Sequence, residues 1–346
     1  MAEPTLRPGE TDAPAAPTIS AIMPVYNAAD YLRRSLPPLL AMLHTREIHE
    51  LLVVDDGSTD TTARLAADLG AEVIPSGGQL GPAAARNCAA ARATGTIFWF
   101  VDADIAVDRN APQQLAAGFT DPGVVAVFGA YDDHPPAQNF LSQYKNLVHH
   151  YYHNRAPREA STFWSGIGAV RSSAFAAVGG FNAAMRCVED IELGYRLRDA
   201  GGRILLLPQL QGTHLKAWHL LQLLRTEICC RALPWSRLLL TRTGARDDLN
   251  VALDERVRAG IAGLALILLG AAAANLLSWW TVPVAGLALA AANRPLFGFF
   301  RRRKGALFAL RAVLFHQLYY LYSSAAFVWS WIEVRLLQRH RAPSAG

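Results

Sequence analysis

The first two hundred residues alternate short apolar runs with segments of helical periodicity. The apolar runs predict strands at 19–27, 50–58, 71–76 and 96–104. The periodic segments predict helices at 29–44, 59–70 and 81–95. This alternation indicates an α/β fold in which helices flank a mostly parallel sheet.

Each of the three most apolar predicted strands runs into amide or acidic residues. Asn27 follows the first strand, Asp55 and Asp56 follow the second, and Asp102 and Asp104 follow the third. In an open parallel sheet all carboxyl ends share one edge, which is where such folds bind their ligands. We therefore expect these five residues to contribute to a single site.

Composition divides the chain into four parts. Residues 1–17 are rich in Pro, Ala and acids and lack an apolar segment, which predicts a disordered tail and excludes a signal peptide. Residues 18–213 form the α/β domain, and residues 214–256 carry amphipathic segments suited to a membrane interface. Residues 257–346 are the most apolar part and predict a membrane domain with two or three transmembrane helices.

The segment 215–240 places leucines on one side of a helix and arginines on the other. Trp218 and Trp235 lie near its ends, and Pro234 is expected to break it. Such a segment either packs on the soluble domain or lies in the bilayer interface. We favour the interface, because apolar segments follow.

Three apolar stretches, 261–280, 282–300 and 312–332, are candidates for membrane spans. The third contains His316 and Gln317, which are unfavourable in lipid. These two residues are therefore expected to face other helices or a lipid headgroup.

Basic residues concentrate near the apolar segments. The net charge of the 346 residues is +5, and many Lys and Arg residues lie in 225–258, 294–304 and 335–341. This placement favours an anionic membrane surface and disfavours nucleic acid as the partner. The run 301–304 indicates a cytoplasmic edge. Three spans, however, would place Arg335, Arg339 and Arg341 outside, against the positive-inside rule.

The four cysteines are Cys88, Cys187, Cys229 and Cys230. Their spacing does not match a metal-binding pattern, and adjacent cysteines seldom pair with each other. We therefore expect a reducing, cytosolic environment for the soluble part.

Six segments of the chain occur in an order typical of one enzyme family. They are "MPVYN", "VVDDGSTD", "GPAAARN", "FVDAD", "GGFN" and "VEDIELGYRLRDAGGRI". In this order they resemble the family 2 glycosyltransferases, whose fold is called GT-A, over residues 19 to about 215. The resemblance implies transfer of a sugar from a nucleotide-diphosphate donor, with inversion at the anomeric carbon.

The resemblance also implies a donor site at the sheet edge, with a UDP-sugar as the first expectation. Its residues are Pro24, Tyr26, Asn27, Asp55, Asp56, Arg86, Asp102, Ala103 and Asp104. A carboxylate such as that of Asp55 or Asp56 can accept the N3 hydrogen of a uracil. For Arg86, a solvated side chain is the alternative.

The D-x-D pair implies a divalent cation, Mg or Mn. Asp102 and Asp104 lie two apart and so share a face of a strand. A hard cation held there would neutralise the charge that develops on a departing diphosphate. His214, after the last predicted strand, is implied as a third ligand, and a surface histidine is the alternative.

By the resemblance, Asp190 matches the general base, and we assign its neighbour Glu189 to catalysis with it. First-turn acids of a helix also have a purely structural explanation in the helix dipole. Trp164, Ser165 and Gly166 are expected to bind the acceptor, since Trp can stack on a sugar and small residues permit close approach. A core position is the alternative for Trp164.

A Q-x-x-R-W signature, found in processive synthases of the family, is absent after the acidic helix, so long-chain polymerisation is disfavoured. The main hypothesis is transfer to a hydroxyl of a lipid or lipid-linked saccharide. Because nucleotide sugars are cytosolic, the expected location is the inner membrane with the catalytic domain facing the cytoplasm. The alternatives are a polyprenyl-phosphate glycosyltransferase and a catalytically inactive membrane scaffold.

Overall fold

The computed structural model describes residues 17–241 and 253–341, with side chains as far as residue 336. Its strands are β1 Ile19–Val25, β2 Glu50–Asp55, β3 Glu72–Pro75, β4 Ile97–Val101, β5 Ile105–Val107, β6 Val124–Tyr131, β7 Glu159–Ala160, β8 Ile167–Arg171 and β9 Arg203–His214. They form one sheet in the order β3-β2-β1-β4-β8-β6-β9-β5, with β7 paired to β9. The predicted disordered tail lies outside the described residues, apart from Pro17.

The half of the sheet that contains β3, β2, β1 and β4 is parallel. Strand β8 runs antiparallel to its neighbours β4 and β6, and β6 and β9 are parallel to each other. The short strands β5 and β7 are antiparallel to β9. Most strands therefore share one direction, which confirms the predicted α/β fold with a mostly parallel sheet.

Helices cover both faces of the sheet. They are α1 Ala29–His44, α2 Thr62–Asp68, α3 Pro82–Ala90, α4 Ala111–Gly118, α5 Phe140–Arg155, α6 Ser172–Ala177 and α7 Glu189–Asp199. Since successive side chains of a strand point to opposite faces, Trp99 of β4 joins one hydrophobic cluster with the leucines of α1. Its neighbour Phe100 joins the other cluster with Phe175 and Phe181. The sheet is thus buried on both faces, and polar groups are left to its strand ends.

Helical segments follow β9 in direct succession: α8 Leu220–Arg225, a π-helix at Thr226–Ala232, and α9 Leu233–Thr241. The break expected at Pro234 is therefore wrong. Proline has no backbone N–H, and the wider π-helical turn before it accommodates the missing donor. Trp218 is buried, and Trp235 Nε1 donates to Tyr195 Oη of α7 at 3.3 Å. Trp218 is therefore not a lipid-facing flank of this segment.

The C-terminal helices are α10 Leu253–Ala273, α11 Thr281–Ala292, α12 Arg294–Lys304 and α13 Ala306–Arg341. The stretch 261–280 is not one helix, because α10 ends at Ala273. The stretch 282–300 is broken at Asn293, with α11 and α12 bent by 74°. By length and composition, α10 is the one described helix able to cross a membrane, or one of two if the bent pair counts as a span.

Helix α13 packs against α5 of the α/β domain. Tyr144 Oη lies 2.6 Å from His316 Nδ1, and His316 is buried. Gln317 Nε2 donates to the Val313 carbonyl at 3.0 Å, within the same helix. The prediction that His316 faces another helix is confirmed.

Candidate active site

The carboxyl ends of β2, β1 and β4 lie side by side. Strand β1 pairs with both neighbours in parallel, and Val25 lies opposite Asp55. The start of β8 meets the same edge, because Asp102 N donates to the Gly166 carbonyl at 3.0 Å. The sheet topology therefore brings four sequence-distant segments to one place.

Arg86 joins two acidic segments inside the domain. Its Nη2 donates to Asp102 Oδ1 at 2.6 Å, and its Nη1 donates to Glu189 Oε1 at 2.7 Å. The side chain is 4% exposed, so the alternative of a solvated arginine is wrong. Phe181 lies beside the guanidinium, with its ring centroid 5.4 Å from Arg86 Cζ. Burial opposes the charged form, but Asp102 and Glu189 outweigh it and raise the pKa of Arg86.

Asp104 lies beside His214, with 3.6 Å between Oδ2 and Nε2. The backbone fixes this contact, because Leu215 N donates to the Asp104 carbonyl at 2.8 Å and His214 pairs with Ile105 across β5 and β9. His214 is 5% exposed, which excludes the surface-histidine alternative. Burial raises the pKa of Asp104, but His214 and then Lys216 outweigh it, so this pKa lies below its ordinary value.

The predicted metal ligands are only partly gathered. Asp104 and His214 adjoin, whereas Asp102 is bonded to Arg86. Across residues 17–241 and 253–336, no group of three acidic, histidine or cysteine side chains could hold a metal ion unaided. Mg²⁺ characteristically binds through one or two carboxylates together with substrate phosphates and water. The side chains therefore fit a divalent cation that arrives with a diphosphate.

Asp190 lies in the first turn of α7 and contacts Ser165, the residue before Gly166. Ser165 donates to Asp190 Oδ2 from its backbone N at 3.2 Å and from its hydroxyl at 3.4 Å. Burial and the charge of Glu189 raise the pKa of Asp190 to about 6. Val188, just before the helix, has a φ of 56°, a left-handed conformation that is rare for a β-branched residue. A carboxylate with this pKa suits proton transfer near neutral pH.

These contacts close a ring around the end of β4. The ring runs through Asp102, Arg86, Glu189, Asp190, Ser165 and Gly166. It links the D-x-D segment, α3, the start of α7 and the start of β8. The candidate donor, catalytic and acceptor residues within it are therefore held in one constellation.

The two acids after β2 have different surroundings. Asp56 is buried, and its carboxylate accepts from Leu80 N at 3.0 Å and from Gly81 N at 2.8 Å. It thereby holds the loop that precedes α3. Asp55 is half-buried, and both its carboxylate oxygens lie 3.3 Å from Ser58 N. Asp55 is thus the more accessible of the two at the sheet edge.

The remaining candidate donor residues lie at the ends of β1 and β4. Asn27 has a φ of 47°, and its Oδ1 accepts from Thr59 N at 2.8 Å, which joins the loops after β1 and β2. Pro24 and Ala103 are half-buried. Tyr26 is 43% exposed and so presents an aromatic ring at the edge.

Trp164 belongs to an aromatic group behind the ring of contacts. Its ring centroid lies 5.0 Å from that of Tyr131 and 4.6 Å from that of His149. A Cβ atom on Gly166 would lie 2.4 Å from the Trp164 ring, so glycine is required there. Protein side chains thus contact much of Trp164, as the core alternative expects.

Tyr131, at the end of β6, was not among the predicted site residues. Its ring stacks on His214 with centroids 4.4 Å apart. Burial raises the pKa of Tyr131, and the charges of Asp104 and Asp102 raise it further. A signal for it existed, because Tyr131 closes an apolar strand in the same way as the acids close β2 and β4.

Arg231, on the π-helix, was also missed. Its Nη1 lies 3.2 Å from Glu227 Oε1, and its side chain is 44% exposed. Partial burial lowers the pKa of Arg231, but the charges of Glu227 and Asp190 raise it overall. The sequence pattern places the arginines of this segment on the face opposite the leucines, and a pattern with a 3.6-residue period does not reveal a π-helix.

Residues 20–179 match the family model described as Glycosyl transferase family 2. This part of the chain belongs to that glycosyltransferase family. The matched glycosyltransferase segment contains Arg86, Asp102 and Asp104 and ends before Asp190. Asp190 is joined to it through the ring of contacts.

Two curated proteins are similar in sequence to part of this chain. The pre-mycofactocin glycosyltransferase of Mycobacterium tuberculosis is 31% identical over 208 residues, which are 57% of this chain and 42% of that protein. The minor teichoic acid biosynthesis protein GgaA of Bacillus subtilis is 32% identical over 111 residues, which are 30% of this chain and 25% of that protein. The chain therefore spans less than half the length of each.

A solved structure shares the fold over most of the chain. It is the mannosyltransferase PcManGT from Pyrobaculum calidifontis, in complex with GDP-Man and Mn²⁺. The TM-score is 0.55 at 20% identity, over 91% of this chain and 88% of that one. At this identity the likeness establishes a GT-A-like fold and nothing about substrate.

Replacing Arg86 with methionine should destabilise the glycosyltransferase by about 3 kcal/mol, because two acids would lose their buried partner. In detergent, the thermal midpoint from tryptophan fluorescence should fall by roughly 5–10 °C. The deficit should shrink as the pH falls, since the pKa of Asp102 is raised by burial and its protonation removes an unpaired charge.

Arg33→Met is the matched control, because Arg33 is exposed on α1. It should change the free energy of unfolding by less than about 0.5 kcal/mol. Equal thermal midpoints for Arg86→Met and Arg33→Met would show that the ion pairs of Arg86 do not hold the site together.

Proposed function

We propose that this chain is a membrane-associated, inverting and metal-dependent glycosyltransferase. It moves a sugar from a nucleotide-diphosphate donor to a hydroxyl of a lipid or lipid-linked saccharide. The observation that carries the proposal is the ring in which Arg86 joins Asp102 of the D-x-D pair to Glu189 and so to Asp190. A site that only bound a sugar would have no need of a carboxylate with a pKa of about 6 beside the acceptor segment.

The donor lies at the sheet edge, with its base toward Asp55 and its diphosphate toward the D-x-D pair. Because Asp55 can accept the N3 hydrogen of a uracil, a UDP-sugar is the donor we expect first. Asp104, His214 and Asp102 would hold Mg²⁺ or Mn²⁺ there. When bound, the cation stabilises the negative charge of the departing diphosphate. The GDP-Man and Mn²⁺ bound by PcManGT support this donor class without fixing the base.

Asp190 acts as the general base. Its ionised carboxylate takes the proton of the acceptor hydroxyl while that oxygen bonds to the anomeric carbon. In the same displacement the bond from this carbon to the diphosphate oxygen breaks, so the configuration inverts without a covalent enzyme intermediate. Ser165 holds the Asp190 carboxylate, and Glu189 acts through Arg86 as a positioning residue.

Membrane association is supported by the C-terminal helices. Large exposed apolar side chains on them include Leu264, Leu266, Ile267, Trp280, Leu287, Leu314 and Trp329. An exposed apolar surface of this extent marks contact with a membrane or a partner. Arg303 pairs with Asp133 of the catalytic domain, so the basic run 301–304 lies on the catalytic side. The positive-inside rule then places that side in the cytoplasm, where nucleotide sugars are found.

A phosphate acceptor, as in a polyprenyl-phosphate glycosyltransferase, is the second candidate. Lys145 Nζ and Arg231 Nη1 both contact Glu227 Oε1, at 2.8 Å and 3.2 Å, which leaves one positive charge in excess. The same Lys145 and Glu227 line a small crevice of about 30 Å³, together with apolar side chains such as Leu223 and Phe315. A cationic group beside an apolar crevice suits a lipid phosphate.

The proposal is tested with purified full-length protein and a panel of UDP-, GDP- and dTDP-sugars, with Mg²⁺ or Mn²⁺. Asp190→Asn should retain donor binding and lose about 10³-fold in transfer to membrane lipid acceptors. Asp104→Ala should lose metal-dependent donor binding, measured by calorimetry with and without the cation.

Equal loss of donor binding in the two variants would contradict these roles. Absence of both binding and turnover in the wild type, with membrane lipids present, would favour the scaffold. Transfer to a polyprenyl phosphate but not to lipid-linked saccharides would select the second candidate.

The rate of transfer should fall in acid with a midpoint near pH 6, because Asp190 must be ionised and its pKa is about 6. A diphosphate and a divalent cation together bring little net charge, so donor binding should leave the midpoint in this range. Glu189→Gln should move the midpoint down, since the charge of Glu189 raises the pKa of Asp190. An acid limb near pH 4 in the wild type would contradict Asp190 as the base.

The full chain should remain with membranes after carbonate extraction. Leu266→Arg on α10 should reduce this retention, because an arginine near the centre of an inserted helix costs about 3 kcal/mol. Leu80→Arg makes the same change at an exposed leucine of the catalytic domain and should not affect retention. Release of the wild-type protein by carbonate would refute insertion.

A further inference from the structure

Helix α13 contacts the catalytic side of the protein along most of its length. His316 lies 2.6 Å from Tyr144 of α5, through Nδ1 and Oη. Six residues later, Tyr322 Oη donates to Glu227 Oε2 of the π-helix at 3.2 Å. Near its end, Glu333 Oε2 accepts from Arg237 Nε of α9 at 2.8 Å.

These contacts fix the direction of α13. From His316 to Glu333 the helix rises about 25 Å. Both ends of this stretch contact helices that are attached to the catalytic domain, because α9 is joined to α7 by the hydrogen bond from Trp235 to Tyr195. Helix α13 therefore runs along the base of the catalytic domain.

The outer face of α13 is apolar. Leu310, Leu314 and Leu318 are exposed at spacings of four residues, while Ala312, His316 and Tyr320 face inward and are buried. Val328 and Ile332 continue the exposed surface. A helix whose inward face packs on the catalytic domain and whose outward face carries a leucine stripe suits the plane of a membrane surface.

The α10–α11 hairpin projects from this base. Arg258 Nε donates to the Ala292 carbonyl at 3.1 Å, and Tyr320 Oη contacts Asn293 Oδ1 at 2.7 Å and Glu255 Oε2 at 3.1 Å. Beyond Arg258 the hairpin carries exposed apolar side chains to its tip, where Trp280 is exposed.

The α10–α11 hairpin is too short to cross a bilayer. The part of α10 after Arg258 rises about 22 Å, and the 12 residues of α11 rise about 18 Å. A bilayer core is about 30 Å thick. The hairpin is therefore long enough to enter the hydrocarbon layer and too short to leave it on the far side.

The positions of the basic residues agree with this arrangement. The run 301–304 is exposed, and Arg303 contacts Asp133 of the catalytic domain. Because α13 follows directly and stays on the base, Arg335 at its end lies on the same side. Both basic groups then obey the positive-inside rule, which three spans would violate.

We propose that the protein attaches to the membrane from one side. Helix α13 lies in the interface, the α10–α11 hairpin enters the bilayer without crossing it, and the described C-terminal end stays on the catalytic side. This inference rests on the membrane association proposed above and replaces the expected two or three spans.

The test uses full-length protein in the membranes of a bacterial host, with its four cysteines changed to serine and one new cysteine in each variant. The variants are Glu72→Cys on the catalytic domain, Arg302→Cys, Arg335→Cys and Trp280→Cys. An impermeant maleimide is added to intact cells or to inverted vesicles. Carbonate extraction of the same membranes measures attachment separately.

Arg302→Cys and Arg335→Cys should label in inverted vesicles to the same extent as Glu72→Cys and should not label in intact cells. Trp280→Cys should label from neither side and should label fully after detergent. A protease-sensitive tag after residue 346 gives a second readout and should be cleaved only in inverted vesicles.

Labelling of Arg335→Cys, or tag cleavage, in intact cells would overturn the in-plane position of α13. Labelling of Trp280→Cys in intact cells would show that the hairpin crosses. Release of the wild-type chain by carbonate would instead refute membrane insertion itself, and with it this inference, while leaving transfer activity to be judged on its own assay.

Discussion

The candidate active site depends on one buried cation. Arg86 comes from α3, while its partners Asp102 and Glu189 come from the end of β4 and the start of α7. Bringing these acids together without a counter-charge would be unfavourable, since Arg86 and Glu189 are buried. The guanidinium makes the arrangement stable and sets the distance between the D-x-D segment and α7. The roles proposed for the donor and acceptor residues depend on this distance between the D-x-D segment and α7.

Much of the fold is readable from local sequence. Strands such as 97–101 are continuous apolar runs, and α1 has the same ends as its predicted helix, so period and composition suffice. The convergence of Asp55 and Asp102 at one edge also follows, because a parallel sheet leaves no other arrangement. The residues of the ring could be listed in advance, although their mutual contacts could not.

The failures have a common physical cause. The partners of Arg86 include Glu189, 103 positions away, and no local pattern records such a pairing. A break is predicted at Pro234 because proline lacks the backbone N–H that an α-helix requires, and the π-helical turn before it accommodates that loss. The apolar run 261–280 has the composition of a span, yet composition cannot show where a hairpin turns. His316 was the informative exception, because a polar group in an apolar helix demands a partner.

Val188 gives the site a further property. A valine held at a φ of 56° stores an unfavourable backbone conformation of about 1–3 kcal/mol directly before Glu189 and Asp190. The ring of contacts must supply that free energy in the folded state, so loosening the ring and relaxing this residue are coupled events. The start of α7 therefore keeps an unfavourable backbone conformation only while the ring of contacts holds. Loss of Arg86 should affect this segment most, and it is the segment that presents the proposed base.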